Sequence, residues 1–235
     1  AGALGANGTE GAAWVQALQI RGERVGLMSF TEPDAATTWS EDQASVLEAV
    51  REQLELALEN RLLIDRSQRA LREARQRETE LGFLQEISAL LNATNDVIAS
   101  RAELLAQFQD FLPVSQLTLT GYDGDAGQLV WLGQAVTLPG QGDEGIDLAG
   151  SGFDWVIGNQ TVVLLDDVRE EPRFAEDARL ASVGVVSRVI LPLRLGYRTL
   201  GALELCSDEV GVFSRPGLMP VLQQVSSQIA SAMER

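Results

Sequence analysis

From Glu41 to about Ala93 the chain holds no proline and a single glycine, Gly82. That stretch predicts one helix of roughly 50 residues, about 80 Å long at about 1.5 Å per residue. A helix of that length cannot bury itself against one small domain, so it must connect parts. Its first part is apolar on one face, through Leu47, Val50, Leu54, Ala57 and Leu58. The middle, DRSQRALREARQRETE, is charged nearly all round. A thin seam of Ile64, Leu71, Ala74 and Leu81 continues at close to heptad spacing. Two readings are open, a solvated spacer and a parallel dimeric coiled coil. The second is favoured, because a partner copy would cover the seam Leu47, Val50, Leu54, Ile64, Leu71 and Leu81. Gly82 weakens the helix by about 1 kcal/mol relative to alanine, and marks either a hinge or close packing.

The segments flanking this helix repeat one another. Residues 14–30 read WVQALQIRGERVGLMSF and residues 188–205 read RVILPLRLGYRTLGALEL. Each is a strand, a turn with Gly and Arg, and a second strand holding Gly26 or Gly201. After each comes a loop, an aromatic-Ser pair (Trp39-Ser40, Phe213-Ser214) and a helix. Matched positions lie about 174 residues apart, and the shared order of parts identifies a repeated module. Ser40 and Gln43 form a predicted capping box. In the later copy Ser214 is the expected N-cap, Phe213 and Leu218 the hydrophobic staple, and Pro216 a first-turn proline. Residues 1–60 are thus expected to be the C-terminal portion of a first module, 40–93 the linker helix, and 82–235 the complete module. The opening AGALGANGTEG reads as a flexible loop, so the chain is expected to begin inside a domain. Strands Trp14–Ile20 and Val25–Thr31 would lack most of their sheet and expose pairing edges.

Within 82–235, Ser100 and Glu103 predict a capping box for the helix RAELLAQFQDFL, which Pro113 stops. Strands SQLTLTGYDG and QLVWLGQAV follow, joined by an Asp/Gly-rich turn. LPGQGDEGIDLAG is loop, and Ser151 caps a short helix, GFDWVIG. A strand QTVVLLDDV, a helix AEDARLAS, the hairpin and a last helix complete the order α-α-β-β-α-β-α-β-β-α. The fold class is α+β: an antiparallel sheet with helices on one face and a pocket-forming excursion on the other.

Composition narrows the chemistry. A net charge of -16 with no lysine among 18 basic residues repels nucleic acid and anionic lipid. No stretch approaches the roughly 20 apolar residues that span a bilayer. There is no histidine, so Ser-His-Asp and Cys-His catalysis and histidine-ligated haem or zinc are excluded. The single cysteine, Cys206, cannot form an internal disulfide and fits a reducing, cytoplasmic setting. It reads as a small buried hydrophobe. Asp166-Asp167 and Glu170-Glu171 read as a solvated acidic loop rather than a metal site.

An ordered set of pieces resembles the GAF family. They are FLQEISALLNAT, the strand pair around Tyr122 and Trp131, and the short helix before VVLLDDVREEPRF. The hairpin with Pro192, Gly196 and Gly201 and the closing VFSRPGLMPVLQQVSSQIASAME complete it. The resemblance covers about 82–235 as a whole domain and about 12–60 as the last third of another. It implies a regulatory module that takes a small ligand between sheet and excursion and signals along a helix. Tandem GAF domains joined by a long helix are typical of bacterial sensor histidine kinases and other two-component regulators. Covalent bilin and haem would need residues this chain lacks, and the cofactor stays unassigned. Reductase members of the family need several cysteines, and the cyclic-nucleotide motif is not present as such.

The resemblance points to Tyr122, Trp131, Phe153, Trp155 and Phe174 as an aromatic ligand cage, with core packing as the alternative. Arg188 could grip an anionic ligand, or lie on the surface, or pair with Asp166 or Asp167. The expected protein is a non-enzymatic sensor or dimerisation scaffold. The competing readings are a GAF-fold reductase or hydrolase and an interaction module with a filled pocket.

Overall fold

The computed structural model describes residues 7–10, 13–31, 40–94, 96–136 and 148–235. It divides into two units, Ala1–Gln76 and Arg77–Arg235.

In the first unit, β2 (Ala13–Ile20) and β3 (Glu23–Thr31) form an antiparallel hairpin. Its two-residue turn places Arg21 and Gly22 at φ 53° and 83°, the left-handed pair that matches strand twist. β1 (Asn7–Glu10) pairs antiparallel with β2, giving the order β1-β2-β3. This corrects the expectation of a flexible loop at these residues. The free N–H and C=O groups along β2 provide a template on which even a polar segment such as Asn-Gly-Thr-Glu pairs. Trp39 and residues 1–6 lie outside the described residues.

Helix α1 spans Glu41–Ala93, as the lack of breakers requires. Its capping box forms: Gln43 N donates to Ser40 Oγ at 3.2 Å and Ser40 N to Gln43 Oε1 at 2.8 Å. It holds the hairpin through Glu55, which accepts the Gln19 N–H at 2.6 Å, and Glu59, which pairs with Arg21 at 2.8 Å. Along α1, Val50, Leu54, Ile64, Leu71 and Leu81 are exposed and Leu47 is half-buried.

In the second unit, the end of α1 and α2 (Arg101–Phe111) precede β4 (Gln116–Asp123) and β5 (Gln128–Val136). Then come α3 (Gly152–Asn159), β6 (Val163–Leu165), α4 (Ala175–Ser182), β7 (Ser187–Leu195), β8 (Arg198–Ser207) and α5 (Leu218–Met233). The five strands form one antiparallel sheet in the order β5-β4-β8-β7-β6. One face carries Leu117, Leu119, Leu191 and Leu203, packed under Phe83, Leu84, Ile87 and Leu91 of α1 and under α2 and α5. The other face carries α3 and α4. The fold is the expected α+β arrangement.

Two caps differ from expectation. Ser100 makes no cap bond. Residues 97–100 already turn, so its Oγ points back to the Asp96 carbonyl at 3.1 Å. Asp96 Oδ1 accepts from Ile98 N and Ala99 N instead. Ser214 sits in a short 3-10 turn, Val212–Ser214, and donates to Asp166. α5 starts later, so Pro220 rather than Pro216 occupies its first turn. Ser151 caps α3 as expected, its Oγ accepting from Asp154 N at 3.3 Å.

The β7–β8 hairpin reproduces β2–β3 pair for pair, with numbers differing by 175. Leu18↔Gly26 matches Leu193↔Gly201, and the bulge after Leu18 matches the bulge after Leu193. β1 meets β2 in the register in which β6 meets β7: Gly8↔Val15 corresponds to Val163↔Ile190, and Glu10↔Ala13 to Leu165↔Arg188. Each hairpin turn is tied to its helix by an Arg–Glu pair, Arg21–Glu59 and Arg198–Glu234.

Candidate functional site

The sheet face beneath α3 and α4 alternates apolar and polar side chains. Period-two alternation places Thr118 and Thr120 of β4, Glu204 and Cys206 of β8, and Arg188 and Ile190 of β7 there. All six are buried. Arg188 is the centre of the group. Its guanidinium pairs with Asp177, with Glu176 at 3.1 Å and with Glu204 at 2.8 Å. Arg188 is therefore neither a surface residue nor a partner of Asp166 or Asp167. Asp167 instead pairs with Arg169, whose hydrogen bond holds its carboxyl at about 2, below the usual range.

The acids of α4 also fix the backbone of the excursion. Glu176 Oε1 accepts the Gly152 N–H at 2.7 Å, at the start of α3. Asp177 Oδ2 accepts the N–H groups of Arg173 and Phe174 at 2.7 and 2.8 Å, just before α4. One arginine thus binds both short helices to the sheet. A Cβ on Gly152 would meet Ile190 Cδ1 at 2.6 Å and Arg188 Nη2 at 2.9 Å, so the side-chain ends of this cluster would have to shift to admit one.

Glu204 is placed differently. It touches Arg188 at 2.8 Å and faces Thr118, its cross-strand neighbour on β4. Burial pushes its pKa above the usual carboxylate value, against the pull of Arg188. Burial likewise pushes the Cys206 thiol well up, reinforced by Glu204. Burial alone would lower the pKa of the Arg188 guanidinium. The charges of Glu204, Asp177 and Glu176 outweigh it and hold the group cationic.

Of the expected cage, Trp155 and Phe174 come together, their ring centroids 6.4 Å apart. Arg188 approaches Phe174 at 5.9 Å. Arg173, not singled out from the sequence, lies over both rings at 5.5 and 5.7 Å. Phe153 is fully buried in the core with Val156 and Val163, the packing alternative. Trp131 lies opposite Thr120 on the same sheet face and is half-buried. Tyr122 sits at the far end of β4, where it lines a cavity of about 570 Å³ with Ile157, Gly158 and Tyr197. Most of the loop LPGQGDEGIDLAG lies outside the described residues. The acids Glu176, Asp177 and Glu204 were missed. Glu204, a charge inside the apolar run GALELC, was the available signal.

A folded excursion held on one face of a five-stranded antiparallel sheet, with α1, α2 and α5 on the other, defines the class of domain. Residues 102–234 match the family model described as GAF domain, and the chain belongs to that family. No curated protein matches it. Similar solved structures include the GAF domain of a phosphoenolpyruvate-protein phosphotransferase from Coxiella burnetii. That likeness has a TM-score of 0.56 and 15% identity, over 67% of this chain and 94% of that one. The corresponding GAF domain from Acinetobacter gives 0.53 and 15%, over 66% and 92%. Free methionine-R-sulfoxide reductase from Neisseria meningitidis, solved with its substrate, gives 0.53 and 17%, over 66% and 88%. Domains of this fold are commonly sensory or regulatory, and some are enzymes. Among the described residues no helix is long and apolar enough to cross a membrane.

Proposed function

We propose that this chain is a cytoplasmic regulatory module of a bacterial signalling protein of the sensor-kinase kind. Its GAF domain, 82–235, takes a small ligand between the sheet and the α3–α4 excursion. Tyr122, Trp131, Phe153, Trp155, Phe174 and Arg188 surround or support that site. Residues 1–60 are the C-terminal portion of a first GAF-like domain, and α1 relays between the two. One observation carries this reading: a single unbroken helix holds the first hairpin through Glu55 and Glu59 and ends in the GAF core through Phe83, Ile87 and Leu91. A shift in either packing has to be felt along that helix, and two packings within a few kcal/mol make it a switch.

The reductase reading is disfavoured by Cys206. Its thiol is fully buried and held protonated, whereas a nucleophilic cysteine needs an accessible thiolate. Native mass spectrometry of the purified chain tests the sensor reading. A stoichiometric small molecule, lost on Trp155→Ala, is the expected result. A chain that retains nothing and gains no thermal stability across a metabolite panel would refute it.

The exposed seam of α1 supports a parallel homodimer. Sedimentation at tens of micromolar should give a dimer, and Ile64→Asp should shift it toward monomer by removing a seam contact. A monomeric wild-type chain contradicts the coiled-coil proposal.

A further inference from the structure

Tyr122 does not join Trp155 and Phe174. It lines the cavity of about 570 Å³ at the C-terminal end of α3, a volume within the range of small-molecule sites. Three segments wall this cavity. The β4–β5 turn supplies Tyr122, Asp123 and Asp125, the end of α3 supplies Ile157 and Gly158, and the β7–β8 turn supplies Tyr197 and Arg198. Trp155, Phe174 and Arg188 take no part in it.

The lining favours positive charge. α3 runs its C-terminus into the wall, where helix carbonyls carry partial negative charge, and its last turn holds no basic residue to offset it. Asp123 and Asp125 add two carboxylates. Asp123 Oδ1 accepts the backbone N–H groups of Asp125 and Ala126 at 3.0 and 3.1 Å, which fixes this turn at the rim. Arg198 is the one cation among the described lining residues, and Glu234 already matches its charge at 2.7 Å.

The walls also select the kind of cation. A metal ion needs several converging oxygens, and no group of three metal-binding side chains occurs among the described residues. Two tyrosine rings and Ile157 suit an organic cation instead, since ring faces attract its charge while its carbon atoms pack against them. Tyr197 is 97% exposed, so its ring packs on nothing in the fold and is free to close over a guest.

We infer that this cavity binds a small organic ammonium ion. Its charge lies between Asp123, Asp125 and the carbonyl end of α3, and its carbon atoms lie against Tyr122 and Tyr197. The site goes beyond the one proposed around Trp155 and Phe174 and shares only Tyr122 with it. A guest here acts on the helix whose other end Glu176 holds at Gly152.

Choline and its uncharged analogue of the same shape, 3,3-dimethylbutan-1-ol, are titrated into the full chain at constant ionic strength while backbone amide shifts are followed. Choline should give saturable shifts at Gly124, Gly158 and Tyr197, and the alcohol should bind at least ~10-fold more weakly. Tyr197→Ala and Asp125→Asn should each weaken choline binding at least ~5-fold. Neither should lower the melting temperature, because Tyr197 is exposed and the turn uses the Asp125 backbone N–H, not its carboxylate. Trp155→Ala should bind choline as the wild type does. Absence of saturable binding overturns the inference, and so does equal binding of the alcohol or undiminished binding by either variant. Loss of choline binding in a folded Trp155→Ala chain overturns it too, and places the cation at the Trp155–Phe174 site. A chain that binds choline as described yet retains no molecule dependent on Trp155 leaves this cavity standing and removes the other site.

Discussion

Arg188→Ala should destabilise the GAF domain by about 3–5 kcal/mol, the range for removing one partner of a buried ion pair. The substitution takes away the cation that Glu176, Asp177 and Glu204 share, and all three acids are buried. It also releases α3 and α4, whose backbones the same acids hold. The loss should depend on pH. Glu204 already has a folded pKa raised above its ordinary 4.5 by burial, with Arg188 opposing the rise. A group raised in this way stabilises the fold fully below its unfolded pKa, and that contribution is lost as pH rises through the folded pKa. Without Arg188 the folded pKa rises further, so the deficit of the variant should be greatest near neutral pH and narrow toward about pH 5. Urea unfolding of both proteins at about pH 5 and pH 8 measures this. Equal deficits at the two values would mean that lost packing, not charge, is responsible. Arg188→Lys should recover part of the loss, since an ammonium restores the charge but not the forked geometry.

The parts of this protein set by local chemistry were legible in its sequence. The bounds of α1 follow from where proline and glycine are absent, and the hairpins follow from alternating apolar residues around Arg21-Gly22 and Gly196-Tyr197. Capping was legible at Ser40 and Ser151 but not at Ser100 or Ser214. Ser40 caps α1, but Ser100 is preceded by a turn that Asp96 already organises. Asn7–Glu10 pairs because β2 offers an edge, which the polar tetrapeptide itself does not announce. The charged cluster was hidden for a related reason. Arg188 was noticed, but its partners come from α4 and β8, 11 to 16 positions away along the chain. Only the register Arg188↔Cys206 and Ile190↔Glu204 brings the strands' polar residues onto one face. The aromatic cage was partly legible, because Trp155 and Phe174 come together; Phe153, two residues before Trp155 and so nearly opposite it around α3, faces the core.

The second large effect is expected at Gly201. In Gly201→Ala the new Cβ would stand 1.8 Å from the Thr120 carbonyl oxygen, 2.8 Å from its carbon and 3.0 Å from Gly121 Cα. All three are backbone atoms, so no side-chain rotation relieves the clash. β4 has to move away from β8, and with it go the hydrogen bonds between Thr120 Oγ1 and the Ala202 backbone, 3.2 and 3.4 Å. Among the described residues β4 alone joins β5 to the rest of the sheet, so the disturbance reaches the core between Leu117, Leu119 and α2. A cost of about 3 kcal/mol, the upper end for overpacking, is expected. For a domain of this size that lowers the melting temperature by roughly 6–12 °C. Gly26→Ala is the comparison at the corresponding hairpin position, where the glycine has no positive φ and, among the described residues, no third strand pairs with β3. Its Cβ would make one ordinary contact, with Leu18 Cδ1 at 3.9 Å, so the chain should keep its stability or gain up to about 1 kcal/mol from the lower backbone entropy of alanine. Scanning calorimetry of the two variants separates the cases. Equal losses at both positions would mean that neither the positive φ of Gly201 nor the β4 backbone beside it accounts for the cost.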